Sequence, residues 1–298
     1  KRQIAAGAIG VCCATVAEAE LMASAGIPGI HLTSPLADPA KMARAVAACS
    51  MVVVDHAQQA TWYAEAAKAA GKKLDVLVDL DVGDHRTGAR KEQALALAEQ
   101  VDALEHLELR GLQAYSVVGS HAGGFEERKR VSKDVFGYVG QVIGTMLRRG
   151  LSCEILSGGS TGTWEIDTEV ADLTELQAGS YVLMDMAYRR EGLDFGHALN
   201  VLGTVVSANH EDFVTVDAGF KAFSTDRGYG PEVLGHEGAG YRWGGDEFGY
   251  VDGAKAKLGD RVRFLPPHCD PTVNLHDRIY ACRGERVEAV WPVKRLTL

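Results

Sequence analysis

The stretch SMVVVDHAQQATWYAEAAKAAGKKLDVLVDLDV, Ser50 to Val82, decides how this chain folds. It opens with a short apolar run whose β-branched Val52, Val53 and Val54 suit a strand buried on both faces. AQQATWYAEAAKAAG then carries the apolar spacing of a helix and stops at Gly71, and KLDVLVDLDV reads as a second strand. Strand, helix, strand at this spacing is a crossover unit, which requires parallel strands and a right-handed connection.

The same unit repeats outward in both directions. Before it, GAIGVCC is strand-like and TVAEAELMASAG is a helix opened by Thr15, with Glu18 completing a capping box, and closed at Gly26. GIHLTS is a strand, and DPAKMARAVAAC a helix with Asp38 as cap and Pro39 at its first position. After it come KEQALALAEQVDAL (helix), LELRGLQAY (strand), a long helix from about Glu126 to Arg149, CEILSGGS (strand) and TELQAGSYVLMD (strand), with VLGTVVSA opening another. These strands, about seven in number, predict an α/β fold, a (β/α)8 TIM-type barrel lacking its first unit. Lys1-Arg2-Gln3-Ile4, which reads like the middle of a helix, fits a missing beginning. A doubly wound open sheet is the alternative, weakened because no G-x-G-x-x-G follows the first strand.

After about Val201 the texture changes. FVTVDAGFKAFSTD, FGYVDG, RVRFLPP and RIYACRGERVEAVWPV alternate at period two between glycine-rich turns, which predicts an all-β second domain. The expected division is therefore 1–200 for the barrel and 201–298 for the β domain. GYGPEVLGHEGAGYRWGGDE reads as a loop between strands, with His236 and Glu237 as solvated loop residues.

Composition narrows the function. With 298 residues, 46% hydrophobic and 24% charged, this is an ordinary soluble globular chain. A net charge of −9 weighs against nucleic-acid and membrane surfaces, and no apolar stretch is long enough to span a bilayer. Six cysteines without C-x-x-C spacing suit reduced thiols and a cytoplasmic location.

Barrel chemistry sits at the C-terminal ends of strands. There the chain carries Gly83-Asp84-His85-Arg86-Thr87-Gly88, Ser116 to His121, and Gly158-Gly159-Ser160-Thr161-Gly162-Thr163. The last is a turn whose N–H groups and hydroxyls suit a phosphate, although Gly/Ser/Thr turns are common. Arg86 is a permanent cation that needs either an anionic ligand or a structural partner in Asp81 or Asp84. In the β domain, PPHCDPTVNLHD (Pro266 to Asp277) sets His268 and Asp270 one residue apart among prolines. If the segment is extended, both side chains share a face and offer N plus O to one divalent ion (Mn²⁺, Mg²⁺ or Zn²⁺) with open positions left for water or substrate. A bare H-x-D is also what a strand-edge histidine beside an aspartate turn looks like. Cys269 between them reads as a small buried hydrophobe.

VDLDVGDHRTG, GLQAY, SGGSTGT, TELQAGSY, VDAGFKAFSTD and PPHCDPTVNLHD, in that order, resemble the D-threonine aldolase and D-serine dehydratase group of pyridoxal-phosphate enzymes. That group shares a barrel plus β domain with alanine racemase, and the resemblance runs over nearly the whole chain. It implies pyridoxal 5′-phosphate, a divalent metal, a D-amino acid substrate and a homodimer. By resemblance, Arg86 contacts the cofactor's phenolic oxygen. Ser160, Thr161, Gly162 and Thr163 form the phosphate loop, with Gly179, Ser180 and Tyr181 as a second phosphate contact. Gln177 stands where alanine racemase sets an arginine against the pyridine nitrogen, and Tyr115 and His121 line the substrate side.

The metal pair is His268 and Asp270; dehydratases of the group show H-x-C there, so H-x-D leans toward aldolase. Two departures stand out. The family's Schiff-base lysine lies in an H-x-K-x-H segment expected before Lys1, and Lys221 belongs to a different motif in the β domain. SVVGSHAGG also differs from the commoner G-H-x-Q-H form, so that only His121 is retained. The resemblance implies metal-dependent cleavage of a D-β-hydroxy-α-amino acid to glycine and an aldehyde, with His121 or a metal-bound hydroxide taking the β-hydroxyl proton. The alternatives are a D-serine or 3-hydroxyaspartate dehydratase, a 3-hydroxyaspartate aldolase giving glycine and glyoxylate, or a non-catalytic cofactor-binding protein. The aldolase expectation requires the metal pair to face the cofactor at the barrel mouth.

Overall fold

A computed structural model describes residues 1–294 of the protein. The chain separates into two compact units, Lys1–Ala178 and a second that begins at Gly179. The β texture starts later, at the strand Val201–Ser207, because the turns and short helices between the two points carry no period-two signal.

The first unit is built on seven parallel strands: β1 (Val11–Cys13), β2 (Ile30–Leu32), β3 (Met51–Val54), β4 (Leu74–Asp79), β5 (Leu107–Ala114), β6 (Ile155–Gly158) and β7 (Glu175–Leu176). They lie side by side in chain order. A doubly wound sheet reverses its order at a switch point, and this one does not. Thr15 accepts from the Glu18 N–H at 3.3 Å while Glu18 takes the Thr15 N–H at 3.1 Å, so the capping box forms. Asp38 accepts from Ala40 N–H at 2.9 Å, with Pro39 next to it in the first turn.

Val52, Val54, Val76 and Val78 are fully buried on the helix-facing side; each contributes roughly 1.5–3 kcal/mol by leaving water. Met51, Val53 and Leu77 form a separate cluster on the opposite face, joined by Ile155 of β6. Side chains two strands apart can meet only if the sheet is concave toward them, so the sheet curls as a half-barrel. Among the described residues no ladder joins β7 to β1.

The second unit holds a six-stranded antiparallel sheet, from β8 (Val201–Ser207), β9 (Phe213–Val216), β10 (Glu232–Leu234), β11 (Gly240–Trp243), β12 (Gly249–Asp252) and β13 (Arg261–Leu265), in the order β10-β13-β8-β9-β12-β11. A hairpin of β14 (Arg278–Arg283) and β15 (Arg286–Pro292) follows. Its core is aromatic: Phe223 meets Phe264 at 5.5 Å and Tyr241 meets Trp243 at 5.1 Å.

Three expectations need correction here. The glycine-rich stretch expected as a loop contains β10 and β11, strands too short for alternation to stand out among glycines. In TELQAGSYVLMD only Glu175–Leu176 is extended, and Ser180–Val182 is a 3-10 turn. The third is PPHCDPTVNLHD: His268 is extended, but Cys269–Leu275 is a helix with Asp270 and Pro271 in its first turn, where proline's missing N–H leaves no hydrogen bond unmade.

Gly111 fixes the join between β4 and β5. The pairing slips there, so that Val76 faces Leu109 but Leu77 faces Gly111, and Gly111 has φ +143°. A Cβ on it would lie 2.0 Å from the Ile155 carbonyl oxygen. Gly111→Ala is expected to lower the unfolding free energy by roughly 2–4 kcal/mol, read by urea denaturation; a loss within experimental error would show that the bulge relaxes freely.

Polar side chains line the C-terminal end of the concave face. Buried Asp79 accepts from Gln113 Nε2 at 2.8 Å and from the Thr87 hydroxyl at 2.9 Å. Gln113 Nε2 also donates to the Thr33 carbonyl at 2.9 Å. Gln177 Nε2 donates to Gln113 Oε1 at 3.1 Å and to the Ser157 hydroxyl at 2.9 Å. Burial pushes the Asp79 carboxyl up to about 6 against these hydrogen bonds. The folded protein therefore holds a proton that the unfolded chain releases between about pH 4 and about pH 6. The stability this supplies is complete below that window and lost as pH rises through it. Asp79→Asn, which keeps an acceptor for Gln113, is expected to remove this slope, gaining roughly 1–3 kcal/mol over wild type between acid and neutral pH. Urea denaturation at both ends of the window measures it, and parallel pH profiles would overturn it.

Candidate active site

The turn after β4 is shaped by its carboxylates. Asp81 accepts the N–H groups of Gly83 (2.9 Å) and His85 (3.1 Å) and pairs with His85 Nδ1 at 2.7 Å. These bonds hold His85 at φ 52°, a left-handed conformation unusual for a residue with a Cβ. Asp84 accepts the Ser116 hydroxyl at 3.0 Å and the N–H groups of Val117 and Val118. Both neighbouring carboxylates are thus occupied, and Arg86 forms no ion pair with either. Its guanidinium lies 5.3 Å from the centroid of the Tyr115 ring. The structure therefore brings Arg86 and Tyr115 together at adjacent strand ends.

The Gly158-to-Thr163 turn is tighter than its sequence suggests. A Cβ on Gly158 would meet the Ala114 carbonyl oxygen at 2.3 Å, and one on Gly162 the Ser120 carbonyl oxygen at 1.9 Å. These glycines admit the protein's own backbone. The hydroxyls of Ser160 and Thr163 lie 3.0 Å apart, Ser160 Oγ takes the Gly162 N–H at 3.1 Å, and Thr163 donates to buried Asp167, which also takes the Ser132 hydroxyl at 2.5 Å. Burial raises the Asp167 carboxyl above its ordinary value. The Ser160 and Thr163 hydroxyls hold the turn through each other and Asp167, and Thr161 is buried with them.

His121 follows the short helix Val117–Ser120, its Nδ1 3.4 Å from the Val117 carbonyl. Gln177 leaves β7 with its amide nitrogen turned inward, and its Oε1 accepts no hydrogen bond among the described residues. Gly179, Ser180 and Tyr181 open the second unit: Ser180 begins the 3-10 turn, and the Tyr181 ring lies 5.7 Å from that of Phe195. A cation that forms no ion pair among the described residues and lies beside an aromatic ring, together with an amide oxygen that accepts no hydrogen bond among them, fits the ring of pyridoxal phosphate.

In the second unit His268 Nε2 lies 3.7 Å from Asp270 Oδ2, and His268 Nδ1 lies 2.7 Å from Asp226 Oδ2. Burial lowers the His268 pKa, but hydrogen bonds to Asp270 and Asp226 outweigh it and hold the imidazole above its ordinary value. The two aspartates approach opposite nitrogens and cannot share one ion. Asp226, by accepting from Nδ1–H, fixes the tautomer that leaves the Nε2 lone pair beside Asp270. Nε2 plus a carboxylate oxygen fits a divalent ion. Among the described residues no group of three or more His, Cys, Asp or Glu side chains is placed to hold one. Arg227 adds a cation, its Nη2 3.5 Å from His268 Nε2. Cys269 is fully buried, its N–H donated to Asp185 at 2.7 Å. Lys221 pairs with Glu247 on the surface.

The sequence reading missed Asp79, Gln113 and Arg227, and gave no role to Asp226 although it closes a motif quoted above. Asp226 and His268 are too far apart in sequence for spacing to link them.

Residues 1–187 match the family model described as "Alanine racemase, N-terminal domain", and residues 198–282 the one described as "Putative serine dehydratase domain". The chain is 38% identical to a D-threonine aldolase of Arthrobacter sp, over 98% of its own length and 80% of the relative's. It is 36% identical to a 3-hydroxy-D-aspartate aldolase of Paracoccus denitrificans (strain Pd 1222), over 96% and 78%. The crystal structure of D-threonine aldolase from Filomicrobium marinum superposes with a TM-score of 0.92 at 33% identity, over 98% of this chain and 82% of that one. With the curled parallel sheet and the antiparallel β unit already in place, these matches decide the family: the chain belongs to the alanine racemase-like proteins, in the group that holds the D-threonine and 3-hydroxy-D-aspartate aldolases.

Proposed function

We propose that this protein is a pyridoxal-phosphate-dependent, metal-assisted lyase that splits the Cα–Cβ bond of D-β-hydroxy-α-amino acids of the D-threonine type into glycine and an aldehyde. The observation that carries this reading is the His268–Asp270 approach of 3.7 Å, with the far side of the imidazole fixed by Asp226, in a chain whose relatives include two kinds of aldolase. Arg86, Tyr115 and Gln177 would hold the cofactor ring. The Ser160, Thr161, Gly162 and Thr163 turn, with Gly179, Ser180 and Tyr181, would hold its phosphate. His268 Nε2 and Asp270 would hold Mn²⁺, Mg²⁺ or Zn²⁺. When bound, the cofactor is an electron sink for the pair left on Cα, and the cation makes a coordinated alcohol more acidic. His121, whose Nδ1 lies 3.4 Å from the Val117 carbonyl, would take the β-hydroxyl proton. Lys221 is not proposed for the Schiff base, since its ammonium is engaged by Glu247. The same reading makes the protein a cytoplasmic homodimer, a state that sedimentation would measure.

The protein, assayed with pyridoxal phosphate on D-threonine, is expected to release glycine with an aldehyde. A chelator should abolish the cleavage, and Asp270→Asn should lower kcat about a hundredfold or more. Chelator-resistant cleavage would remove the role given to His268 and Asp270. Release of ammonia and a 2-oxo acid would make the protein a dehydratase.

Arg227 favours a second reading of the substrate side chain. A guanidinium 3.5 Å from His268 Nε2 suits a substrate carrying its own carboxylate on Cβ, which makes 3-hydroxyaspartate, cleaved to glycine and glyoxylate, the competing substrate. Arg227→Gln is expected to lower kcat/KM for D-3-hydroxyaspartate about 30-fold while leaving D-threonine nearly unchanged. Equal losses on the two substrates would show that Arg227 does not read the side chain.

A further inference from the structure

Behind Gln177 the hydrogen bonds run in one direction. Gln113 Nε2 is shared between the Asp79 carboxylate (2.8 Å) and the Thr33 carbonyl (2.9 Å). Both partners are pure acceptors when Asp79 is ionised, and the Thr33 carbonyl is one at any pH, so the atom between them must be the amide nitrogen. Gln113 Oε1 is then the end that meets Gln177. An oxygen there can only accept, so Gln177 must offer its own NH₂, as it also does to Ser157 at 2.9 Å. Gln177 Oε1 is left over, without a hydrogen bond from the described residues, at the strand end where ligands bind in this class of fold.

We propose that Gln113 is a positioning residue: by taking the Gln177 amide nitrogen inward it presents the Gln177 carbonyl oxygen to the ligand, so that the site selects a pyridoxal ring whose nitrogen carries a proton. This rests on the reading of Gln177 as the partner of the ring nitrogen. Without Gln113 the Gln177 amide can turn and present its NH₂, which suits an unprotonated ring nitrogen. A protonated ring draws electrons more strongly from the reacting carbon, so the orientation of a residue that touches no ligand sets the strength of the electron sink.

The test uses pyridoxamine 5′-phosphate labelled with ¹⁵N at the ring nitrogen, which needs no covalent lysine, titrated into the protein in buffer alkaline enough that the ring nitrogen of the free compound has lost its proton, and followed by ¹⁵N NMR. The wild-type complex should show the resonance upfield at the pyridinium position while the free compound stays at the pyridine position. Gln113→Met should return the bound resonance toward pyridine. Adding Gln177→Glu to that variant should restore the pyridinium position, because a carboxylate accepts whichever way it turns. A bound wild-type ring at the pyridine position, or a Gln113→Met complex identical to wild type, overturns the inference and leaves the cofactor reading standing. Absence of saturable binding to wild type overturns both. If Gln113→Met does not fold, Gln113→Leu takes its place with the same expected return toward pyridine, while the wild-type measurement by itself decides whether the site selects the protonated ring.

Discussion

The first unit depends on one buried carboxylate. Asp79 closes β4, and the two donors it takes come from different places: Gln113 on the neighbouring strand and Thr87 in the turn that carries Arg86. An acceptor this deep is costly unless its hydrogen bonds are made, which is why its carboxyl is pushed up to about 6 and why the donors are held so closely. The position of Arg86 and the orientation of Gln177 therefore answer to the same group. A fold that needed only a stable interior would be better served by a leucine at this position.

The second unit depends on a similar choice made at its surface. Cys269–Leu275 is helical, so His268 and Asp270 stand at the N-cap and in the first turn instead of sharing the face of a strand. They still approach to 3.7 Å, because the N-cap is itself extended and the first turn brings the next carboxylate round beside it. The buried N–H of Cys269, donated to Asp185, anchors that turn. The residue identities at the pair were thus legible from sequence while their geometry was not.

That contrast runs through the molecule. The strands and helices of the first unit were readable because each is apolar, separated by caps, and repeated: Thr15, Asp38 and Gly71 mark boundaries that the hydrogen bonds bear out. β10 and β11 were hidden because a strand of three or four residues among glycines has too little length to show a period. At the site, Arg86 could be singled out as a cation beside glycines, but only coordinates reveal that Asp81 and Asp84 are already engaged by His85 and by the Ser116 turn. The glycines of the Gly158 turn carry a constraint that no sequence pattern shows: the carbonyls of Ala114 and Ser120 press against Gly158 and Gly162 and leave no room for a Cβ.

Asp226 and Asp79 solve one problem in the same way. An imidazole and an amide each have two unlike ends, and neither is useful to a ligand until one end is committed. A carboxylate, which when ionised can only accept, commits it: Asp226 takes the Nδ1–H of His268 and leaves Nε2 as a lone pair, while Asp79 takes the NH₂ of Gln113 and so, one residue later, leaves the oxygen of Gln177. The groups offered to ligands are then of opposite use, a basic nitrogen suited to a cation and a carbonyl suited to a proton donor. Neither assignment depends on the residue that would touch the ligand, and substituting the groups behind it would change the chemistry while leaving every contact residue in place.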